Sequence, residues 1–122
     1  MARILIVDDS EVIRKFLSEY LQDMGHEVDV ASEGREGIDK ALNGDYALIF
    51  CDLHMPRMNG YQVYRAVSAE KPAQAFIMTD SFPDQICRIV EKIGALDCIT
   101  KPFDLNEVRL KLAKALSTVD ST

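Results

Sequence analysis

The chain has 122 residues, of which 48% are hydrophobic, so it can bury one core but is too short for two ordinary domains. Acidic residues outnumber basic ones by 20 to 14, and the net charge of −6 argues against a nucleic-acid or membrane surface that works by bulk electrostatics. We expect residues 1–122 to form one domain with a short C-terminal tail, and to bind neither nucleic acid nor a membrane directly.

The cysteines and the hydropathy of the chain indicate its cellular compartment. Cys51, Cys87 and Cys98 are widely spaced and lie in or beside apolar segments, which is typical of reduced, buried thiols. The first residues lack the apolar stretch of a signal peptide, and no run approaches the length of a membrane span. These features predict a cytoplasmic location.

Short apolar runs alternate with segments of helical period along the whole chain, which predicts five consecutive βα units. The expected strands are residues 3–7, 27–31, 47–51, 75–79 and 97–100. A first helix is expected where apolar residues from Val12 to Met24, including Phe16, recur on one face before Gly25. Further helices are expected at residues 34–43, 60–69 and 83–93. A last helix carries Leu105, Val108, Leu112 and Leu116 on one face.

The start of the last helix and the strand composition add detail to this pattern. Asp104 and Glu107 resemble a reciprocal capping arrangement. The runs 4–7 and 47–51 are apolar without alternation, so we expect strands covered on both faces. Such strands belong to a parallel sheet between two layers of helices.

Polar residues follow the predicted strands, where a parallel sheet gathers its strand ends at one edge. The first run ends in Asp8 and Asp9, the third in Asp52, the fourth in Thr79 and the fifth in Lys101. Two carboxylates about 4 Å apart repel by roughly 4 kcal/mol at an effective dielectric near 20, so this edge needs a cation. All-oxygen ligands suit Mg²⁺. A lysine and a hydroxyl beside the metal suit an anion, and an anion bonded to one carboxylate is an aspartyl phosphate.

This set of residues resembles the receiver domains of bacterial two-component response regulators, of which the chemotaxis regulators are examples, over essentially the whole chain. The matching pieces are Asp8-Asp9, Asp52-Leu53-His54-Met55-Pro56 with Gly60, Thr79, and Lys101-Pro102-Phe103. The resemblance implies a flavodoxin-like (βα)5 three-layer sandwich with a five-stranded parallel sheet in the order 2-1-3-4-5.

The resemblance also implies roles for individual residues. Asp52 is the expected phosphoacceptor. The expected Mg²⁺ ligands are Asp9 and Asp52 directly, Asp8 through water, and the main-chain carbonyl of His54. Lys101, before a cis peptide bond to Pro102, is expected to pair with a phosphate oxygen, and Thr79 to bond the phosphoryl group.

A protein of this family is a regulatory phosphoacceptor that catalyses only its own phosphorylation and dephosphorylation. The resemblance implies a sensor histidine kinase or histidine phosphotransfer protein as donor and a downstream protein as target. A phosphorylation-linked dimer is a further expectation.

Each site residue also has an explanation that needs no active site. Asp8 and Asp9 could cap the first helix, Asp52 could open a turn, and Lys101 could be a solvated loop residue. Thr79 could be an ordinary β-branched strand residue and Gly60 could only help a turn. For the aspartates, Lys101 and Thr79, four such coincidences on one edge are less economical than one site.

Two alternative functions stay open. One is a receiver-like docking module that works without phosphorylation. The other is a Mg²⁺-dependent phosphatase with an aspartate nucleophile, although Asp8 is followed by Asp9 and Ser10 rather than by an Asp-x-Asp pattern.

Pro102 is expected to modulate the site from its place next to Lys101, and three further residues are expected to modulate it through their side chains. Cys98 stands where receivers usually have an aromatic residue, which predicts an altered switch. Asp80 stands where they usually have Ala or Gly, so its charge is expected to repel small phosphoryl donors. The His54 side chain can tune the access of attacking water.

Overall fold

The computed structural model describes residues 1–80, 88–90, 92–94 and 97–120, the last three of these by their main chain alone. The strands are β1 (Arg3–Val7), β2 (Glu27–Ala31), β3 (Leu48–Asp52), β4 (Phe76–Asp80) and β5 (Asp97–Thr100). The helices are α1 (Glu11–Asp23), α2 (Gly34–Asn43), α3 (Gly60–Glu70), α4 with described residues 88–90 and 92–93, and α5 (Leu105–Asp120).

The strands form one sheet in the order β2-β1-β3-β4-β5, and every pairing is parallel. The predicted fold class and strand order are therefore confirmed. Because all strands run the same way, the residues that follow β1, β3, β4 and β5 lie along one edge of the sheet.

Alternate residues of the strands pack into two separate cores. Leu5, Val7 and Ile49 belong to the core under α2 and α3, whereas Ile4 and Phe50 belong to the core under α1 and α5. All five are buried almost completely, and each large apolar side chain removed from water contributes roughly 1.5–3 kcal/mol. The unbroken apolar runs thus reflect a sheet that is covered on both faces, as predicted.

The apolar face of α1 is only partly used. Leu17 and Leu21 are buried, but Val12 is 76% exposed, and Phe16 and Met24 are also exposed. The sequence placed these residues on one face of the helix, but only part of that face is buried, because the apolar stripe is wider than the contact between α1 and the sheet. The helix ends at Asp23, and Gly25 follows with a φ of +93°, which favours glycine.

The boundaries of two central strands differ from those predicted by one residue. β3 and β4 begin and end one position later, so that Asp52 and Asp80 are themselves the last strand residues. The sequence pattern predicted that β3 ends at Cys51, the last apolar residue before Asp52, and that β4 ends at Thr79. The ladder of backbone pairs continues one step further, through Asp52↔Thr79 and Asp80↔Thr100.

Helix capping also differs from the prediction. Asp104 accepts a hydrogen bond from the N–H of Asn106 (2.8 Å), but Glu107 pairs with Lys111 (3.1 Å) instead of returning to Asp104. A full capping box occurs at α3, where Asn59 and Gln62 bond each other's backbone N–H groups.

The predicted helix at residues 83–93 is helical at 88–90 and 92–93; residues 83–87 and 91 lie outside the described residues, as does Cys87. Within the described part of the chain, no helix is both long and apolar enough to cross a membrane.

Candidate phosphoacceptor site

The carboxyl ends of β1 and β3 bring three acidic side chains together. Asp8 and Asp9 follow β1, Asp52 ends β3, and one carboxylate oxygen of each lies within 4.8 Å of the others. Asp8 and Asp52 are only 2% and 4% exposed, whereas Asp9 is exposed. Thr79 is buried one strand away as the register partner of Asp52. The predicted convergence of these residues on one edge is present in the structure.

Lys101, which follows β5, provides a positive charge to this cluster. Its Nζ lies 2.9 Å from Oδ2 of Asp8 and 3.3 Å from Oδ2 of Asp52. The main chain holds the residue in place, because its N–H donates to the carbonyl of Asp80 (2.7 Å). Its peptide bond to Pro102 is cis, as the resemblance implied. Lys101 is thus a partly buried ion-pair partner of both carboxylates rather than a solvated loop lysine.

Burial controls the electrostatics of the cluster. Desolvation, followed by the charge of Asp8, raises the pKa of Asp52 from 3.8 to about 6, against the opposing effects of Lys101 and of the His54 N–H. Burial alone would lower the pKa of Lys101, but its bonds to Asp8 and the charge of Asp52 outweigh burial and raise it. One lysine therefore leaves the pocket short of positive charge.

Neither Asp8 nor Asp9 serves as the N-cap of α1, so both side chains are available to the acidic cluster. Ser10 is the N-cap, and its hydroxyl accepts from the N–H of Ile13 (3.3 Å). Asp8 instead accepts from the Ser10 N–H (2.9 Å) through Oδ1, and its carbonyl accepts from Arg14 (2.8 Å). These bonds orient the Asp8 side chain so that Oδ2 meets Lys101.

Gly60 has a larger role than the turn that the sequence suggested. A Cβ atom at this position would lie 2.3 Å from the carbonyl oxygen of Asp52, well inside van der Waals contact. The Gly60 N–H also donates to the carbonyl of Leu53 (3.2 Å), and the Leu53 N–H donates to that of Thr79 (3.0 Å). The loop after β3 therefore folds back tightly against Asp52, and only glycine allows this approach.

Two of the expected modulators contact each other, which the sequence did not indicate. Nε2 of His54 lies 3.0 Å from Oδ2 of Asp80. The third, Cys98, is half-buried against the core under α2 and α3, and its carbonyl accepts from Lys111 (2.6 Å). The nearby Cys51 thiol is fully buried, and burial raises its pKa.

Comparison with known proteins agrees with this geometry. Residues 4–113 match the model of the response regulator receiver domain family. Response regulator ArlR of Staphylococcus haemolyticus is 35% identical over 119 residues, which are 95% of this chain and 53% of that protein. The uncharacterized transcriptional regulatory protein YkoG of Bacillus subtilis is 34% identical over 93% of this chain and 50% of its own length. The chain thus spans about half the length of the curated relatives it matches.

Solved structures are also similar over their full length. Chemotaxis protein CheY4 of Vibrio cholerae has a TM-score of 0.82 and 33% identity, with 98% of each chain covered. Response regulator TrrA of Thermotoga maritima, in complex with Mg²⁺ and BeF, has a TM-score of 0.87 and 32% identity, with 95% of this chain and all of TrrA covered.

This chain belongs to the response regulator receiver domain family. Receiver domains are regulatory phosphoacceptors rather than enzymes that turn over an external substrate, so the class predicted from the sequence is confirmed. Response regulators work with histidine kinases and with downstream effectors.

Proposed function

We propose that Asp52 accepts a phosphoryl group and that its phosphorylation changes the contacts this domain makes with other proteins. One observation carries the proposal. The Asp52 carboxylate is buried at the end of β3, and a lysine ammonium lies between it (3.3 Å) and a second buried carboxylate, Asp8 (2.9 Å).

The reaction at Asp52 is a direct phosphoryl transfer. A carboxylate oxygen forms a bond to phosphorus while the bond between phosphorus and the donor atom breaks, and the donor leaves with the electron pair of that bond. For a phosphohistidine donor that is protonated on its second ring nitrogen, the departing imidazole is neutral, because the released nitrogen keeps the electron pair and the proton stays on the other nitrogen. Because a pKa near 6 leaves Asp52 mostly ionised at neutral pH, the nucleophile is available.

Lys101 and Thr79 are suited to hold the transferred group. The lysine ammonium already lies within 3.3 Å of Asp52, so a phosphate oxygen on that carboxylate would come within its reach. Thr79 is the direct register neighbour of Asp52 and offers a hydroxyl donor from β4.

The donor set around Asp52 fits Mg²⁺. Asp8, Asp9 and Asp52 offer only carboxylate oxygens, and the main-chain carbonyl of His54 is a further oxygen two residues on. A bound divalent ion would neutralise carboxylate charge and the charge of the incoming phosphoryl oxygens. Lys101 supplies one positive charge against three carboxylates, and this imbalance supports the assignment of a cation to the site.

The donor that we propose is a histidine kinase or a histidine phosphotransfer protein, and the recipient of the signal is a downstream protein. ArlR and YkoG are named as regulators of about twice this length. We therefore propose that this domain acts through a partner or an attached effector, with a phosphorylation-linked dimer as one form of output.

The test is the intact mass of the protein after incubation with Mg²⁺ and acetyl phosphate. We expect one phosphoryl adduct that is absent in Asp52→Asn and in the presence of a chelator, and that decays on standing. Asp45→Asn is the matched control, because the Asp45 side chain is fully exposed and precedes β3, at the opposite end of that strand from Asp52. An adduct that persists in Asp52→Asn would contradict the assignment.

Metal binding is tested separately by calorimetric titration with Mg²⁺ alone. We expect binding to the unmodified protein and much weaker binding to Asp9→Asn, since an exposed carboxylate at the mouth of the cluster is lost. Equal binding by both proteins would place the ion elsewhere.

A further inference from the structure

The contact between His54 and Asp80 has no part in the transfer step described above. Nε2 of the ring lies 3.0 Å from Oδ2 of the carboxylate, between residues 26 positions apart in sequence. The Asp80 side chain is fully buried, whereas the His54 side chain is 58% exposed. The ring is therefore the solvent-facing half of the pair, and it lies over a buried anion.

Both ends of this contact are fixed to the phosphoacceptor site. The N–H of His54 donates to Oδ1 of Asp52 (3.3 Å). Asp80 directly follows Thr79, the register partner of Asp52, and its carbonyl accepts from the N–H of Lys101 (2.7 Å). His54 thus links the ends of two strands, because its main chain contacts the Asp52 carboxylate at the end of β3 and its ring contacts Asp80 at the end of β4.

We propose that Asp80 is a positioning residue that holds the His54 ring at the entrance to Asp52, and that the held ring selects phosphoryl donors by size. This inference rests on the proposed function of Asp52. A compact donor passes the ring, whereas a bulkier one must displace it and break its bond to Asp80. A protein donor can supply the free energy for this displacement through contacts elsewhere on the domain.

The proposal differs from the simpler hypothesis that Asp80 repels donors by its own charge. If Asp80 acts through the ring, its removal has no effect once the ring is gone. If it acts by charge, its removal accelerates phosphorylation with or without His54. The two mechanisms are therefore separated by a double-mutant cycle.

The experiment measures the rate at which Asp52 is phosphorylated, with Mg²⁺, by two nitrogen-linked donors of different size. Phosphoramidate is the compact donor and phosphoimidazole the bulky one. In both, the P–N bond breaks while the O–P bond to Asp52 forms. Ammonia or imidazole departs with the electron pair of the P–N bond, and it is neutral because the protonated donor already carries the required proton on nitrogen. The variants are His54→Ala, Asp80→Ala, Asp80→Asn and the double alanine variant. His26→Ala is the control, because His26 lies at the opposite edge of the sheet, where its Nδ1 accepts from the N–H of Ala2.

We expect phosphoimidazole to react about 10-fold faster with either single alanine variant than with the unmodified protein, which is the effect of losing one hydrogen bond to a charged group. The double variant should react no faster than either single variant. The rate of phosphorylation by phosphoramidate should rise much less in the same variants. Asp80→Asn should stay close to the unmodified protein, because its amide oxygen still accepts from the ring although its charge is gone.

Several outcomes would overturn the inference. These are additive effects in the double variant, equal acceleration of both donors, acceleration in Asp80→Asn equal to that in Asp80→Ala, or no acceleration in His54→Ala. If Asp80→Ala does not fold, as judged by circular dichroism, His54→Ala and Asp80→Asn still decide the question. Failure of the proposed function differs from all of these, because no variant would then gain an adduct that depends on Asp52.

Discussion

The substitution Asp52→Asn should stabilise the fold in the absence of metal. Burial and the neighbouring Asp8 raise the pKa of Asp52 from 3.8 to about 6, so the ionised carboxylate is less stable in the folded protein than in the unfolded chain. A rise of this size corresponds to about 3 kcal/mol. Asparagine keeps the shape but has one acceptor oxygen for two donors, Lys101 and the His54 N–H, and the lost bond costs about 1 kcal/mol. We expect a net gain of about 2 kcal/mol at pH 7.

The stability that Asp52→Asn gains over the unmodified protein should increase with pH. The unfolded chain releases the Asp52 proton near pH 3.8, but the folded protein keeps it up to about pH 6. Between these values the folded state binds more protons, so its stability falls as the pH rises. The advantage of the asparagine variant should therefore be near zero at pH 4, grow between pH 4 and 6, and stay constant above.

Urea unfolding followed by far-ultraviolet circular dichroism, with a chelator present, measures this advantage at each pH. The control Asp45→Asn changes a fully exposed side chain and should alter the free energy of unfolding by less than about 0.5 kcal/mol at every pH. Added Mg²⁺ should favour the unmodified protein over Asp52→Asn. An asparagine variant that is less stable than the unmodified protein at pH 7 without metal would refute the argument that burial penalises this carboxylate.

Three further substitutions test the surroundings of the site by the same unfolding assay. Gly60→Ala should cost about 3 kcal/mol or more because its methyl group would meet the Asp52 carbonyl, whereas Gly25→Ala, with open space around it, should cost only about 1 kcal/mol. Lys101→Ala should cost about 3 kcal/mol at pH 7 and less at pH 4, since it leaves two buried carboxylates without their shared cation, and equal losses at both pH values would contradict this reasoning. Asn59→Ala should cost about 1 kcal/mol through loss of the α3 capping box, and an unchanged midpoint would show that this box contributes nothing.

Much of the fold could be predicted because its determinants are local. The unbroken apolar run from Ile4 to Val7 can only be buried on both faces, and that requires helices on both sides of a parallel sheet. The acidic cluster followed from the same reasoning. Once the strands are parallel, Asp8, Asp9 and Asp52 must lie at one edge, whatever the details of packing.

Boundaries and buried faces could not be predicted as well. Whether β3 stops at Cys51 or at Asp52 depends on backbone bonds with β4, and a run of apolar letters does not record those bonds. In the same way, Val12 and Leu17 are equally apolar in sequence, but only Leu17 is covered when α1 meets the sheet.

The sequence by itself determined which chemical groups this protein gathers, because apolar strands without alternation predict a parallel sheet whose strands all end at one edge. The order of those strands was implied by the resemblance to receiver domains. Only the tertiary structure decided how those groups pair. The Asp80 carboxylate, expected to act by its charge alone, accepts a hydrogen bond from His54, and Gly60 proved necessary beside the Asp52 carbonyl. Both contacts depend on the path of the loop after β3 and on its fit against neighbouring main chain. That path is set by packing between distant segments, for which local sequence carries no periodic signal.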